Sequence, residues 1–236
     1  MPIVILPVLL AAAALAAPAP TPPRSVSFVT KDGWTISADY RPARKGGTVV
    51  ILAHGVASSK LEWILFAERL QAEGVGTLAV DLRGHHDSQK GPAGTRTYQD
   101  FDATGEWPRA VEDLNAAARW LTARGVPESR IAFGGASIGA NLASQAAAKR
   151  SKTPFLLLLS PGPDYRGVQP RIRPGLKTYV GASPPDAYAA QLLRPLSSVK
   201  GVEIFEAPAG HGTQMFEDKA TFDTIVAWAV SASRGR

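Results

Sequence analysis

The chain of 236 residues contains no cysteine. That excludes disulfides, thiolate metal sites, a lipid-modified cysteine anchor and a cysteine nucleophile, so the fold must rest on its core. Histidine is scarce: with 4 in the chain, imidazole chemistry falls to His54, His85, His86 or His211. Charge is not concentrated either. The 26 Lys and Arg against 20 Asp and Glu leave a formal net charge of +6, but they are scattered rather than gathered into a run or an aromatic-interleaved patch. This argues against a nucleic-acid partner. No internal repeat is visible, and no apolar run reaches the roughly 20 residues of a bilayer span. What is present, 45% hydrophobic residues, suffices to bury the core of a single α/β domain.

From Met1 to about Ala16 there is no charged side chain, and a Leu/Val/Ile segment passes into alanine-rich sequence ending in Ala14-Leu15-Ala16. The small-x-small ending predicts a signal peptide over residues 1–16, hence a periplasmic or secreted protein with no stable membrane anchor once the signal is removed. A proline-rich spacer follows over 17–23, and the folded domain is expected over 24–236.

Ser25 to Thr30 and Trp34 to Tyr40 alternate apolar and polar residues around Lys31-Asp32-Gly33, which predicts an antiparallel hairpin. Thr48 to Ala53, Gly76 to Asp81, Ile131 to Phe133, Pro154 to Leu159, Leu176 to Val180 and Val202 to Ala207 are short apolar runs of the kind found in strands covered on both faces. Helical patterns separate them. Ser59-Lys-Leu-Glu62 reads as a capping box opening a helix to about Glu73. Trp107, Ala110, Val111, Leu114, Ala117, Ala118 and Leu121 recur at helical spacing up to about Arg124. Asp186 to Leu193 begins a helix limited by Pro195, and Phe222, Ile225, Val226, Ala229 and Val230 share one side of a terminal helix. Strands alternating with helices predict a mostly parallel sheet of about eight strands with helices on both faces.

The chemistry gathers around Gly135-Ala-Ser137-Ile-Gly139, where a strand runs into a helix through small residues. A serine at the tip of such a turn stands above the sheet edge at a helix N-terminus, which favours the oxyanion formed on attack. Its proton needs a base of near-neutral pKa. His211, between two glycines after the last strand, is the candidate; His54, His85 and His86 are better explained by their own loops. The imidazole needs a carboxylate against its other nitrogen, and two aspartates past strand ends qualify, Asp164 and Asp186, the latter also readable as an N-cap. Backbone N–H groups of Val56 and Ile138 are placed to form an oxyanion hole. Trp63, Phe66, Tyr98, Phe101 and Met215 are candidates for an acyl pocket and equally for core packing. No metal or organic cofactor is called for.

Together, His54-Gly55, Asp81-Leu-Arg-Gly-His-His-Asp-Ser88, the Gly-Ala-Ser137-Ile-Gly turn and Gly-His211-Gly resemble a bacterial serine α/β-hydrolase, most similar to the small, capless dienelactone-hydrolase-like and esterase-like proteins. The resemblance matches Ser160 to Tyr165, Asp186 to Ala189 and His211 to Thr213 to the family's segments, and so favours Asp186 over Asp164 as the triad acid. It implies an α/β-hydrolase fold and a Ser137-His211-Asp186 triad acting through an acyl-enzyme on a small-molecule acyl substrate. Dienelactone hydrolases use a cysteine, so a carboxylic ester is expected rather than a dienelactone. Peptidase activity in the same fold, or a binding protein on a hydrolase scaffold, are the alternatives. Only about 15 residues, Pro161 to Gly175, lie where related enzymes insert a cap, so an open site is expected.

Overall fold

The computed structural model describes residues 21–235. The expected signal peptide and residues 17–20 of the spacer lie outside them. Eight strands form one sheet: β1 (Arg24–Val29), β2 (Thr35–Arg41), β3 (Val49–Ala53), β4 (Gly76–Val80), β5 (Ile131–Ala136), β6 (Leu156–Leu159), β7 (Thr178–Ala182) and β8 (Val202–Glu206). Their order in space is β1-β2-β4-β3-β5-β6-β7-β8. The first hairpin is antiparallel, β2 runs antiparallel to β4, and every pairing from β4 to β8 is parallel. The longer helices are α1 (Ile64–Ala72), α2 (Val111–Thr122), α3 (Ile138–Ala148) and α4 (Lys219–Arg234). None of the described helices is long and apolar enough to cross a membrane.

The alternation within β3 shows why its run is apolar throughout. Val49, Ile51 and Ala53 join a core with Leu114 and Ala117 of α2 and Leu142 of α3, while Val50 and Leu52 join a second core with Phe66 and Leu70 of α1 and Ile225 and Ala229 of α4. Each central strand is thus covered on both faces, as parallel connections require. At the first hairpin Gly33 adopts φ +89°, the backbone state that its Asp-Gly turn favours.

Several boundaries differ from expectation. The 107–124 helix is broken: a turn at Glu106–Arg109 precedes α2, and Pro108 lies in that turn. The strand expected over 176–180 begins two residues later, at Thr178, because the Leu176 N–H bonds Arg173 O in a turn. The helix after Asp186 divides into Ala187–Ala190 and Leu193–Ser197; Pro195 lies in the first turn of the second piece, where a missing N–H costs little. The loop before Gly105 contains a small hairpin, Lys90–Gly91 with Gly94–Thr95. Between β6 and β7 there is only an isolated bridge, Tyr165 with Val168, and no cap.

The loop after β4 is held by the buried Arg83, whose Nε lies 2.9 Å from Asp113 Oδ1 and whose Nη1 lies 2.7 Å from Asp32 Oδ2 and 3.2 Å from Glu106 Oε2. One guanidinium therefore ties the first hairpin, the 106–109 turn and α2 to the end of β4.

Candidate active site

In an open parallel sheet the carboxyl ends of strands on either side of the order reversal create a crevice. Here β3 and β5 lie side by side, and their outgoing loops face each other. Ser137 sits between β5 and α3 with φ +56° and ψ −127°, a strained conformation for a residue with a Cβ. Its N–H bonds Leu159 O on β6 at 2.9 Å, and its carbonyl accepts the Ala140 N–H as the helix begins. The flanking glycines are required by close approach: a Cβ on Gly135 would collide with the Gly139 carbonyl, and one on Gly139 with Ala53 O at the end of β3. Such collisions are with backbone and cannot be relieved by a rotamer change.

His211 follows β8, between Gly210 at φ +95° and Gly212 at φ +58°. Asp186 follows β7, and its Oδ2 lies 2.7 Å from His211 Nδ1. Its side chain caps no helix N–H, so the N-cap alternative for it does not describe its contacts. Asp164 is elsewhere: its carboxylate accepts the Gly167 N–H at 2.6 Å and the Gln169 amide at 3.1 Å in an exposed turn. Two further bonds place the histidine loop. Gly212 N–H donates to Ser160 Oγ at 2.9 Å, and Ser183 Oγ donates to Gly210 O at 2.7 Å. Tyr165 packs edge-on to the imidazole with ring centres 6.3 Å apart. Burial, with Asp186 nearby, pushes the Tyr165 phenol well above its ordinary pKa, so it remains an O–H donor, given to Ser160 O at 3.2 Å.

A model of the alpha/beta hydrolase family matches residues 50–235, spanning the sheet from β3, the serine turn and the histidine loop. The chain belongs to the α/β-hydrolase family. No curated protein matches its sequence. Among solved structures it is similar to the α/β hydrolase GrgF from Penicillium sp. sh18, at 17% identity and a TM-score of 0.69, with 91% of this chain and 98% of that one covered. It is also similar to a carboxylesterase structure from the thaumarchaeon Nitrososphaera gargenis, at 12% identity and a TM-score of 0.70, covering 89% and 99%. A third is the Pyrococcus furiosus esterase Pf2001, at 18% identity and a TM-score of 0.60, covering 86% and 90%. At these identities the likeness is one of fold.

In this α/β hydrolase Ser137 and His211 line one open cleft of about 470 Å³ together with Gly55, Val56, Glu62 and Thr213. Neither the Val56 nor the Ile138 N–H has an intramolecular acceptor among the described residues. The acyl-pocket candidates do not line the cleft. Trp63, Phe66 and Met215 are buried in the core beneath α1 and α4, Phe101 is buried against Trp34 and Trp107, and Tyr98 lines a neighbouring hollow that meets the cleft at Ser58. Large apolar side chains are worth more inside a packed core than along a solvent-filled crevice.

His54 is wholly buried, with Nδ1 2.6 Å from Gly55 O and Nε2 accepting the Leu82 N–H at 2.9 Å. It braces the Gly55 loop. Burial, with His85 beside it, drives its pKa well below the ordinary 6.5. In an NMR titration its ring signals are expected to remain those of the neutral form down to about pH 5; a midpoint near 6.5 would refute this account of the loop.

Among the described residues the one group with metal-like spacing is Asp81, His86 and Asp87. The Lys60 ammonium already occupies it, 2.5 Å from Asp81 Oδ2 and 2.8 Å from Asp87 Oδ2.

Glu62 is the residue that sequence reasoning misplaced. Ser59 does cap a short turn, Lys60–Trp63, by accepting the Leu61 N–H, but Glu62 does not reach back to complete a capping box. Its Oε1 instead receives the Gly55 N–H at 3.4 Å, across the cleft wall. The spacing of the motif was correct; the competing donor comes from the β3 loop, which the local pattern does not reveal. Ser160 and Ser183 were likewise not singled out, and small hydroxyls past strand ends carry no signal of this role.

Proposed function

We propose that this α/β hydrolase is a serine carboxylesterase acting on small or accessible acyl esters through Ser137, His211 and Asp186. The observation that carries the reading is the 2.7 Å approach of His211 Nδ1 to Asp186 Oδ2 in a loop that brings the imidazole into the same cleft as the strained Ser137. A carboxylate at Nδ1 holds the proton there, leaving the Nε2 lone pair to act as base.

In the forward half-reaction Ser137 Oγ attacks the ester carbonyl carbon as its proton passes to His211 Nε2. The carbonyl π pair moves to oxygen, where the N–H groups of Val56 and Ile138 stabilise it. The carbonyl re-forms as the C–O bond to the alcohol breaks, and the alcohol leaves with the proton from His211. Water then attacks the acyl-serine with the same histidine as base, and the carboxylic acid departs as Ser137 regains its proton. Asp186 stabilises the transient imidazolium without taking the proton. The absence of a cap leaves the cleft open, which suits short or accessible acyl groups.

A fluorophosphonate probe tests the reading directly. Covalent labelling is expected on the peptide containing Ser137, together with hydrolysis of short-chain p-nitrophenyl esters. A folded protein that is neither labelled nor active on esters, amides or lactones would instead be a binding protein on a hydrolase scaffold.

A further inference from the structure

Among the described residues the carboxylates packed inside the fold or at the site have partners, with Glu62 the exception. Asp81 holds Lys60, Asp113 holds Arg83, and Asp186 faces His211. Glu62 lines the cleft beside Ser137 and His211 and forms no ion pair with any described residue. Its Oε1 receives the Gly55 N–H at 3.4 Å, and Ser58 of the β3 loop and Thr213 of the histidine loop line the cleft with it. Burial without a counterion pushes its pKa up to about 7, the expected result when charge is desolvated and not compensated.

The rest of the lining points the same way. Gly55, Val56, Ser58, Thr213 and Gln214 are small or polar and Trp63, Phe66 and Met215 are packed in the core, while the exposed Leu61, Ile64 and Leu65 are not among the residues that line the cleft. The cleft lining therefore offers no large apolar side chain for a long hydrocarbon chain and one carboxyl group without an ion-pair partner, charged above about pH 7.

We propose that Glu62 is a specificity-determining carboxylate, and that the cleft selects acyl esters carrying an alkylammonium group, which lies beside Glu62 while the ester carbonyl reaches Ser137. The proposal deepens the carboxylesterase reading and rests on it for the position of the carbonyl. A cation supplied by the substrate would replace the counterion the chain omits. In a half-buried cleft a unit charge at close range is worth at least about tenfold in affinity. Glu62 keeps its ordinary chemistry throughout: it accepts no proton from the reacting groups and forms no bond to the substrate.

The test separates recognition from turnover. Binding of butyrylcholine and of its uncharged isostere, 3,3-dimethylbutyl butyrate, is measured by calorimetry at pH 8 on the Ser137→Ala protein, with and without Glu62→Gln. The choline ester is expected to bind at least about tenfold more tightly than the isostere, and the ratio to fall toward one with Glu62→Gln. Equal affinities, a preference that survives Glu62→Gln, or binding of neither ester at millimolar concentration would overturn the proposal. If Glu62→Gln fails to fold, Glu62→Asp, which withdraws the charge by one methylene, is expected to reduce the ratio; an unchanged ratio counts against the role. Turnover of p-nitrophenyl butyrate by the protein with Ser137 intact is followed in parallel. Its absence would remove the esterase reading while the binding ratio still decides whether Glu62 recognises a cation.

Discussion

Ser137→Ala is expected to lower kcat/KM for a p-nitrophenyl ester by about 10⁴- to 10⁶-fold, the range seen when one member of a nucleophile-base unit is removed. The loss should be chemical rather than structural. The positive φ at this position strains serine and alanine alike, the N–H to Leu159 O bond is a backbone contact, and the glycines that allow the turn are untouched. The thermal midpoint should therefore stay within a few degrees of the parent while activity disappears. The residual rate would come from the Val56 and Ile138 N–H groups acting on a water attack, since an oxyanion hole retains part of its effect without the nucleophile. A loss smaller than about tenfold, with the protein folded, would mean that Ser137 is not the attacking group.

Asp186→Asn is expected to lower kcat by about 10³- to 10⁴-fold, whereas Asp164→Asn should change it by no more than about threefold. Asparagine matches the size of aspartate, so the cleft keeps its shape. It cannot supply the negative charge that stabilises the imidazolium, and its amide can donate to Nδ1 and so leave the proton on Nε2, the wrong nitrogen for a base. Asp164 makes no contact with the imidazole; its bonds to Gly167 and Gln169 hold an exposed turn. Steady-state rates of the two variants, read beside their melting temperatures, decide between the carboxylates. A larger loss at Asp164 would overturn the assignment of Asp186.

How much of this was legible in advance depended on the range of the constraint. The Asp32-Gly33 hairpin, the all-apolar β3 and β6 and the Gly135-Ser137-Gly139 turn could be read because each is imposed by neighbours a few residues away: a turn that needs positive φ, a strand covered on both faces, a backbone crossing too tight for a Cβ. Strand ends were less legible. β7 started late because a turn at Arg173 to Leu176 competed for the same backbone donors. The aromatic residues near the site were ambiguous for a different reason. Trp63 and Phe66 stand close in sequence to the cleft loop, but their direction is set by the α1 and α4 core that the whole chain must assemble.

By itself the sequence determined a mostly parallel sheet with helices on both faces, the place of Ser137 on its turn and the short list of histidines and aspartates that could serve it. These follow from local backbone sterics, the burial period of strands and helices, and chain order. The family resemblance favoured Asp186 over Asp164, but only the tertiary structure shows Asp186 against His211 and decided which carboxylate enters the cleft. Asp186 and His211 lie 25 positions apart on loops after different strands, and Glu62 turns from its own helix start to the β3 loop. Such contacts depend on how the strands are ordered in the sheet and how their loops converge at its carboxyl edge, and no pattern within a single loop contains that information.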